Sequence, residues 1–213
     1  MSPLLDPLLT VVALANLALL STSRLAWSIR LVAAQGIVLS LLPLVSGMAG
    51  EFRGYGLAGV TILVKGALIP WLLTVAMKRA QVQREPRAYV PLFVSFGFGL
   101  SAIGAAVWLG SRLHVPGGGA ASTALPVAFL TLATGLFIIV TRRTALSQVI
   151  GYLILENGIY AFGVVMVGHV PALVELGVLL DVIAGVFIMG IAIFHIQEEF
   201  EHVDVGELTD LRG

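Results

Sequence analysis

Long apolar runs, separated by short polar breaks, occupy most of the sequence. A helix needs about 20 apolar residues to cross the hydrocarbon core of a bilayer, and seven runs reach or approach that length. They cover residues 3–20, 26–45, 55–77, 89–110, 124–141, 145–168 and 171–195. The runs are continuous and do not alternate with period two, which excludes membrane-spanning strands. The pattern therefore predicts an all-α integral membrane protein, a bundle of about seven transmembrane helices.

The composition supports this class and narrows the chemistry. Of the 213 residues, 58% are hydrophobic and only 11% are charged, whereas a soluble domain carries about 25% charged residues. Twelve Lys and Arg balance twelve Asp and Glu, so no global field indicates a nucleic-acid partner. The chain has no cysteine, which excludes disulfides and protein-ligated iron–sulfur clusters in it. Any electron transfer is therefore expected in another subunit.

Basic residues are unevenly distributed between the connections. With seven crossings, eight of them fall on one membrane face and two on the other. The eight are Arg24, Arg30, Lys78, Arg79, Arg84, Arg87, Arg142 and Arg143, and the two are Arg53 and Arg112. Because basic connections tend to stay in the cytoplasm, we expect the N-terminus outside and the C-terminus in the cytoplasm.

The connections are too short to fold as domains of their own. We therefore expect one membrane domain over 1–213, with four N-terminal helices in 1–110 and a three-helix segment in 124–197. Residues 198–213 form an acidic tail that we expect on the cytoplasmic side. This tail is either a solvated end or a docking strap for a soluble partner.

Four charged residues lie deep enough within the apolar runs that lipid would be expected around them: Lys65, Glu156, Glu175 and Asp181. A charge at the centre of a membrane helix costs about 3 kcal/mol or more unless it is paired or hydrated, so such residues normally face the bundle interior. Lys65 lies near the middle of its run, with Pro70 five residues on. A proline leaves the carbonyl four positions earlier without its backbone donor. We therefore expect an irregular backbone beside the lysine.

The acids differ in depth. Glu156 is the most central, and because burial disfavours the charged form it could exchange a proton at neutral pH. Asn157 and Tyr160 offer it hydrogen-bonding neighbours. Asp181 lies about ten residues inside the last run, and its side chain is too short to reach the surface. Glu175 lies about one turn from the outer end, where it is either an interfacial acid or a functional one.

His195 closes the last run on the predicted cytoplasmic side. It is either a proton exit or a solvated interfacial histidine. For the whole set, one hypothesis is that Lys65 forms a buried ion pair with one acid and only fixes helix packing. We favour a ladder of titratable groups along a proton or cation path, because one lysine cannot neutralise three acids at different depths.

With these residues placed, the chain resembles hydrogenase-4 component E, a membrane subunit of group 4 nickel–iron hydrogenases of the formate hydrogenlyase type. The resemblance covers most of the chain and is strongest over 142–213. The segments that carry it are VKGALIP around Lys65, RRTALSQVIGYLILENGIY, PALVELGVLLDVIAGVFIMGIAI and VDVGELTDLRG.

Segment 124–197 also resembles the K subunit of respiratory complex I, which has one carboxylate in its second helix and one in its third. In that family a glutamate follows a glycine of the second helix by two residues. Here Glu156 follows Gly151 by five residues, which displaces the acid by about one helical turn. Asp181 is the best match to the carboxylate of the third helix, and Glu175 has a counterpart in component E alone.

These resemblances imply a complex I-like, energy-conserving hydrogenase in a bacterial or archaeal cytoplasmic membrane. This chain would be a subunit of its membrane arm, without a catalytic site or cofactor, and would contribute to proton or cation translocation. Its partners would be the lipid bilayer, antiporter-like and hydrogenase-docking membrane subunits, and a soluble hydrogenase arm on the cytoplasmic side. The nickel–iron centre and the iron–sulfur clusters would lie in partner subunits.

Two other functions remain open at the level of sequence. One is a subunit of a cation/proton antiporter complex, or a free-standing ion transporter, without a redox partner. Such transporters often contain paired inverted repeats and interrupted helices, and the sequence shows one helix with a lysine and a proline but no second copy. The other is a structural spacer, in which Glu156 and Asp181 would be dispensable for coupled activity.

Overall fold

The computed structural model describes residues 4–45, 59–80, 90–113, 120–166 and 180–190. These ranges contain seven helices and no strand. The helices are α1 (Leu5–Ser21), α2 (Leu25–Val45), α3 (Gly59–Arg79), α4 (Leu92–Arg112), α5 (Ala120–Thr141), α6 (Ala145–Met166) and α7 (Leu180–Gly190). The prediction of an all-helical fold with about seven helices is confirmed.

Four of the described helices are long and apolar enough to cross a membrane. The spans are Leu25–Leu42 in α2, Gly59–Arg79 in α3, Phe93–Arg112 in α4 and Thr123–Thr141 in α5. Helices α1 and α7 are shorter and also apolar over their described residues. Large apolar side chains are exposed along α4 and α7, among them Phe93, Trp108 and Phe187. The protein is therefore a membrane protein, with apolar helix faces suited to lipid or to other membrane subunits.

Helices α5 and α6 pack with their backbones in close approach. A Cβ atom added at Gly158 of α6 would lie 2.7 Å from the backbone nitrogen of Leu132. One added at Gly151 would lie 2.9 Å from the backbone nitrogen of Ile139, and one at Gly135 of α5 would collide with the backbone of Leu155. Small residues permit this approach between membrane helices, which is the role of Gly135, Gly151 and Gly158 in this contact.

Helix α6 lies in the interior of the bundle. It packs against α5 and also contacts α2 and α3. Its Ile150 and Ile154 belong to a buried apolar cluster with Leu20 of α1, Leu73 of α3 and Ile188 of α7. Every polar side chain on the inner faces of α6 is consequently enclosed by other helices, and this enclosure defines the candidate site.

Helix α3 contains a π-helical turn over Val64–Leu68. The backbone N–H of Ile69 donates to the carbonyl of Val64, five residues back, and α-helical geometry resumes over Ile69–Arg79. Pro70 follows immediately and cannot donate a backbone hydrogen bond. The irregular backbone expected beside Lys65 thus takes the form of a π turn that contains the lysine, and such turns are frequent at functional sites.

Candidate functional site: a buried lysine between two carboxylates

Lys65 is buried at the centre of the described bundle, with 6% of its surface exposed. The π turn of α3 presents its side chain toward α6, and Gly36 of α2 lies against its stem. A Cβ atom at Gly36 would lie 2.9 Å from Cβ and 3.3 Å from Cδ of Lys65. The glycine therefore leaves the space through which the lysine stem passes.

The ammonium group of Lys65 contacts three side chains from two other helices. It forms an ion pair with Oε2 of Glu156 and donates to Oδ1 of Asn157 at 3.0 Å, both on α6. It also donates to Oδ1 of Asp181 on α7 at 3.3 Å, with Oδ2 of the same carboxylate at 3.3 Å. An ammonium has three hydrogens, so these three groups account for all of them.

The charged cluster, which consists of Lys65, Glu156 and Asp181, contains more negative than positive charge. When all three groups are ionised, one ammonium faces two carboxylates, and each carboxylate is only 1% exposed. Oε1 of Glu156 and Oδ2 of Asp181 accept no hydrogen bond from any described residue. Uncompensated charge is costly in an apolar interior. The arrangement is therefore suited to take up one further positive charge, as a proton or a small cation.

Tyr160 completes the surroundings of the lysine. It is buried, and its ring centroid lies 5.8 Å from Nζ of Lys65, within the range of a cation–π contact. The sequence pattern predicted Tyr160 as a hydrogen-bonding neighbour of Glu156. In the structure its aromatic ring faces the lysine, which adds a second favourable environment for the ammonium.

The structure adds three neutral polar residues that were not predicted from the sequence: Gln35, Asn16 and Thr131. Nδ2 of Asn157 donates to Oε1 of Gln35 on α2 at 3.4 Å, and Nε2 of Gln35 donates to Oδ1 of Asn16 on α1 at 3.0 Å. Nδ2 of Asn16 donates to the hydroxyl of Thr131 on α5 at 2.8 Å. A signal for them was present, because Asn16 and Gln35 are isolated polar residues within apolar runs.

One expectation from the sequence is wrong in its geometry. Glu156 and Asp181 were expected at different depths of a ladder, but both contact the same ammonium group. The hypothesis that Lys65 pairs with one acid is too simple for the same reason, since it pairs with two. Glu175 and His195 lie outside the described residues, so their part in an ion path stays a prediction.

Fold and site together define an all-helical membrane protein with a charged cluster buried among its helices. The chain belongs to the same family as the uncharacterized protein Rv0085 of Mycobacterium tuberculosis, with 34% identity over 190 residues that cover 86% of this chain and 84% of the relative. It is also a distant homologue of hydrogenase-4 component E of Escherichia coli and Shigella flexneri. That similarity is 28% identity over 157 residues, which cover 71% of this chain and 70% of component E.

Two further comparisons gave no match. No family model matches the chain. No solved structure matches it significantly. The resemblance of segment 124–197 to the K subunit of complex I therefore stays a prediction from the sequence.

Proposed function

We propose that this chain is a membrane-arm subunit of a complex I-like, energy-conserving group 4 hydrogenase of the formate hydrogenlyase type. In this role it contributes to the translocation of protons or cations, driven by redox chemistry in partner subunits. The homology to hydrogenase-4 component E supports the membership of a hydrogenase complex. The buried cluster of Lys65, Glu156 and Asp181 supports the part in translocation.

The observation that carries the proposal is a single ammonium shared by two carboxylates, each with an oxygen that accepts no hydrogen bond from the described residues. Uptake of one positive charge makes this cluster neutral, and its release restores one negative charge. A change in the position of α3 or α7 would alter the contact between Lys65 and Asp181. Such a movement would change the affinity of the cluster for the ion, which is the coupling that a pump requires.

The partners follow from the same assignment. Antiporter-like and hydrogenase-docking subunits would flank this chain in the membrane, and the soluble hydrogenase arm would lie on the cytoplasmic side. The nickel–iron centre and iron–sulfur clusters would belong to those partner subunits. This chain would supply the ion site and its enclosure by apolar helices, in the cytoplasmic membrane of a bacterium or archaeon.

The test is hydrogenase-linked ion pumping in inverted membrane vesicles that contain the assembled complex. Glu156→Gln and Asp181→Asn are compared with the native chain, because each nearly preserves volume and removes one titratable group. Asp6→Asn is the matched control, since Asp6 is an exposed carboxylate on α1 that accepts a hydrogen bond from Thr123. We expect hydrogen evolution to continue in all three variants and the ion gradient to fall only in the two cluster variants.

Undiminished pumping in both cluster variants would contradict the proposal. It would indicate that the cluster only stabilises the packing of the helices. The alternative, an antiporter-complex subunit or a free-standing transporter, predicts a different result. Ion exchange would then proceed in vesicles that lack the hydrogenase subunits, and it would still depend on Glu156 and Asp181.

A further inference from the structure

A run of buried neutral side chains leads away from the charged cluster, and the proposed translocation does not use it. The run consists of Asn157, Gln35, Asn16 and Thr131, which come from α6, α2, α1 and α5 in that order. Each of the four is between 0% and 2% exposed. With Lys65 of α3 at its start, the run joins side chains from five helices.

The hydrogen bonds of this run all point in the same direction. Lys65 donates to Asn157, Asn157 to Gln35, Gln35 to Asn16, and Asn16 to Thr131. The hydroxyl of Thr131 then donates to the backbone carbonyl of Val127 at 2.7 Å. Each amide therefore accepts on the side of the ammonium and donates on the far side. Hydrogen bonds aligned in this way polarise one another and strengthen together.

The direction has a consequence for the first link. If Asn157 reversed its amide, its oxygen would face the oxygen of Gln35, and two acceptors would meet. Gln35 and Asn16 would then have to reverse as well, and Thr131 would have to turn its hydroxyl away from Val127. All four residues are buried, and an unsatisfied polar group is costly in such an interior, so a single reversal is unfavourable. The four residues consequently hold the oxygen of Asn157 toward Lys65 as a unit.

We infer that Asn157, Gln35, Asn16 and Thr131 form one polarised hydrogen-bonded string that positions the ammonium of Lys65 and links its environment to α5. The four are positioning residues, because Asn157 alone touches the lysine. This inference goes beyond the proposed translocation and does not require it to be correct. Its distinctive prediction is that a substitution at Thr131 changes the environment of the Lys65 ammonium, although the two residues are not in contact.

The chain offers a direct readout of the lysine. It contains two lysines, Lys65 and Lys78, and Lys78 is exposed at the end of α3. Labelling of the lysine side-chain nitrogens with ¹⁵N therefore gives two NMR resonances from the full chain in lipid bilayers, one from the cluster and one internal reference. The experiment needs no hydrogenase activity, so its result does not depend on whether the proposed function is correct.

The substitution that tests the string is Thr131→Val, with two matched controls. Thr131→Ser keeps the hydroxyl and is expected to leave the resonance of Lys65 in its native position. Thr134→Val removes a buried hydroxyl one turn further along α5 that has no partner among the described residues, and it is also expected to leave the resonance unchanged. We expect Thr131→Val to shift the resonance of Lys65 and not that of Lys78.

Gln35→Leu interrupts the string in its middle and supplies the decisive comparison. We expect it to shift the resonance of Lys65, and we expect Thr131→Val to add no further shift in that background, because the residues beyond the break no longer communicate with the lysine. Far-ultraviolet circular dichroism verifies the helical content of each variant. The inference is overturned if Thr131→Val leaves the native resonance unchanged, or if it produces the same shift with and without Gln35.

Discussion

The carboxylate of Asp181 on α7 lies 3.3 Å from the ammonium nitrogen of Lys65 on α3, although 116 residues of sequence separate the two. On α7, Ala184 and Ile188 are buried, while Val186 and Phe187 are exposed. The side of α7 that faces the bundle is thus narrow, and Asp181 lies on that side. The charged cluster therefore joins α3, α6 and α7 as well as forming the candidate ion site.

The charge balance of the cluster predicts the effect of removing the ammonium group of Lys65. Lys65→Met leaves two carboxylates facing each other in an apolar interior, and loss of one side of a buried ion pair costs about 3–5 kcal/mol. We expect the free energy of unfolding in detergent to fall by about that amount, as measured by denaturant titration followed by circular dichroism. Adding Glu156→Gln and Asp181→Asn to this variant removes both unpaired charges and should restore most of the stability.

Lys78→Met is the control for that experiment, because Lys78 is exposed on the same helix. It should remain within about 0.5 kcal/mol of the native chain, as surface substitutions usually do. Equal instability of the single and the triple variant would show that packing around the lysine stem, and not charge, accounts for the loss.

The close approach of α5 and α6 predicts a severe effect of adding one methyl group. In Gly158→Ala the new Cβ would lie 2.7 Å from the backbone nitrogen of Leu132, which cannot move aside without shifting a helix. We expect the variant to lose about 1–3 kcal/mol, as overpacked interiors do, in the same denaturant titration. Gly104→Ala on α4 is the matched control, since a Cβ there meets nothing within 4 Å. A native-like Gly158→Ala would contradict the close contact.

Gly36 predicts a functional effect of the same small change. Gly36→Ala would place its Cβ 2.9 Å from Cβ of Lys65, so the lysine stem must shift relative to Glu156 and Asp181. We expect the ¹⁵N resonance of Lys65 to move and ion pumping in vesicles to fall severalfold, because a misplacement of about 1 Å is costly at a preorganised site. Gly59→Ala on α3 has open space around its Cβ and should match the native chain in both measurements.

The uneven distribution of basic residues predicts the orientation of the chain. Because the sequence has no cysteine, single cysteines can be introduced at Arg24 and Arg112, which are both exposed. We expect a membrane-impermeant thiol reagent to label Arg112→Cys in intact cells and Arg24→Cys only in inverted vesicles. The reverse pattern would place the N-terminus in the cytoplasm and contradict the positive-inside assignment.

Much of this molecule follows from the sequence, and the reasons for success and failure are physical. The length and apolarity of the runs predicted the helices, because bilayer thickness fixes the length of a spanning helix. Lys65, Glu156 and Asp181 stood out one by one because a charge in an apolar run is costly. Their meeting at one ammonium depends on how α3, α6 and α7 pack, and periodicity within one helix carries no such information.

The neutral residues of the string were not predicted, although two of them could have been. Asn16 and Gln35 are polar residues within apolar runs, so the same cost argument identifies them as inward-facing. Their signal is weaker than that of the charged residues, because a neutral amide is less costly to bury than a charge. The π turn at Val64–Leu68 was only partly foreseen: Pro70 indicates a missing backbone donor, but it does not specify whether the helix bends or widens.

The distance in sequence between Lys65 and its partners has a consequence for biosynthesis. Glu156 follows Lys65 by 91 residues and Asp181 follows it by 116. At about 5–20 residues per second, the ribosome would need roughly 5–18 s to supply the first acid after the lysine. During that time α3 carries an unpaired ammonium, which costs about 3 kcal/mol at the centre of a bilayer. We therefore expect α3 to be retained at the insertion machinery, or to be inserted only unstably in the bilayer, until α6 emerges.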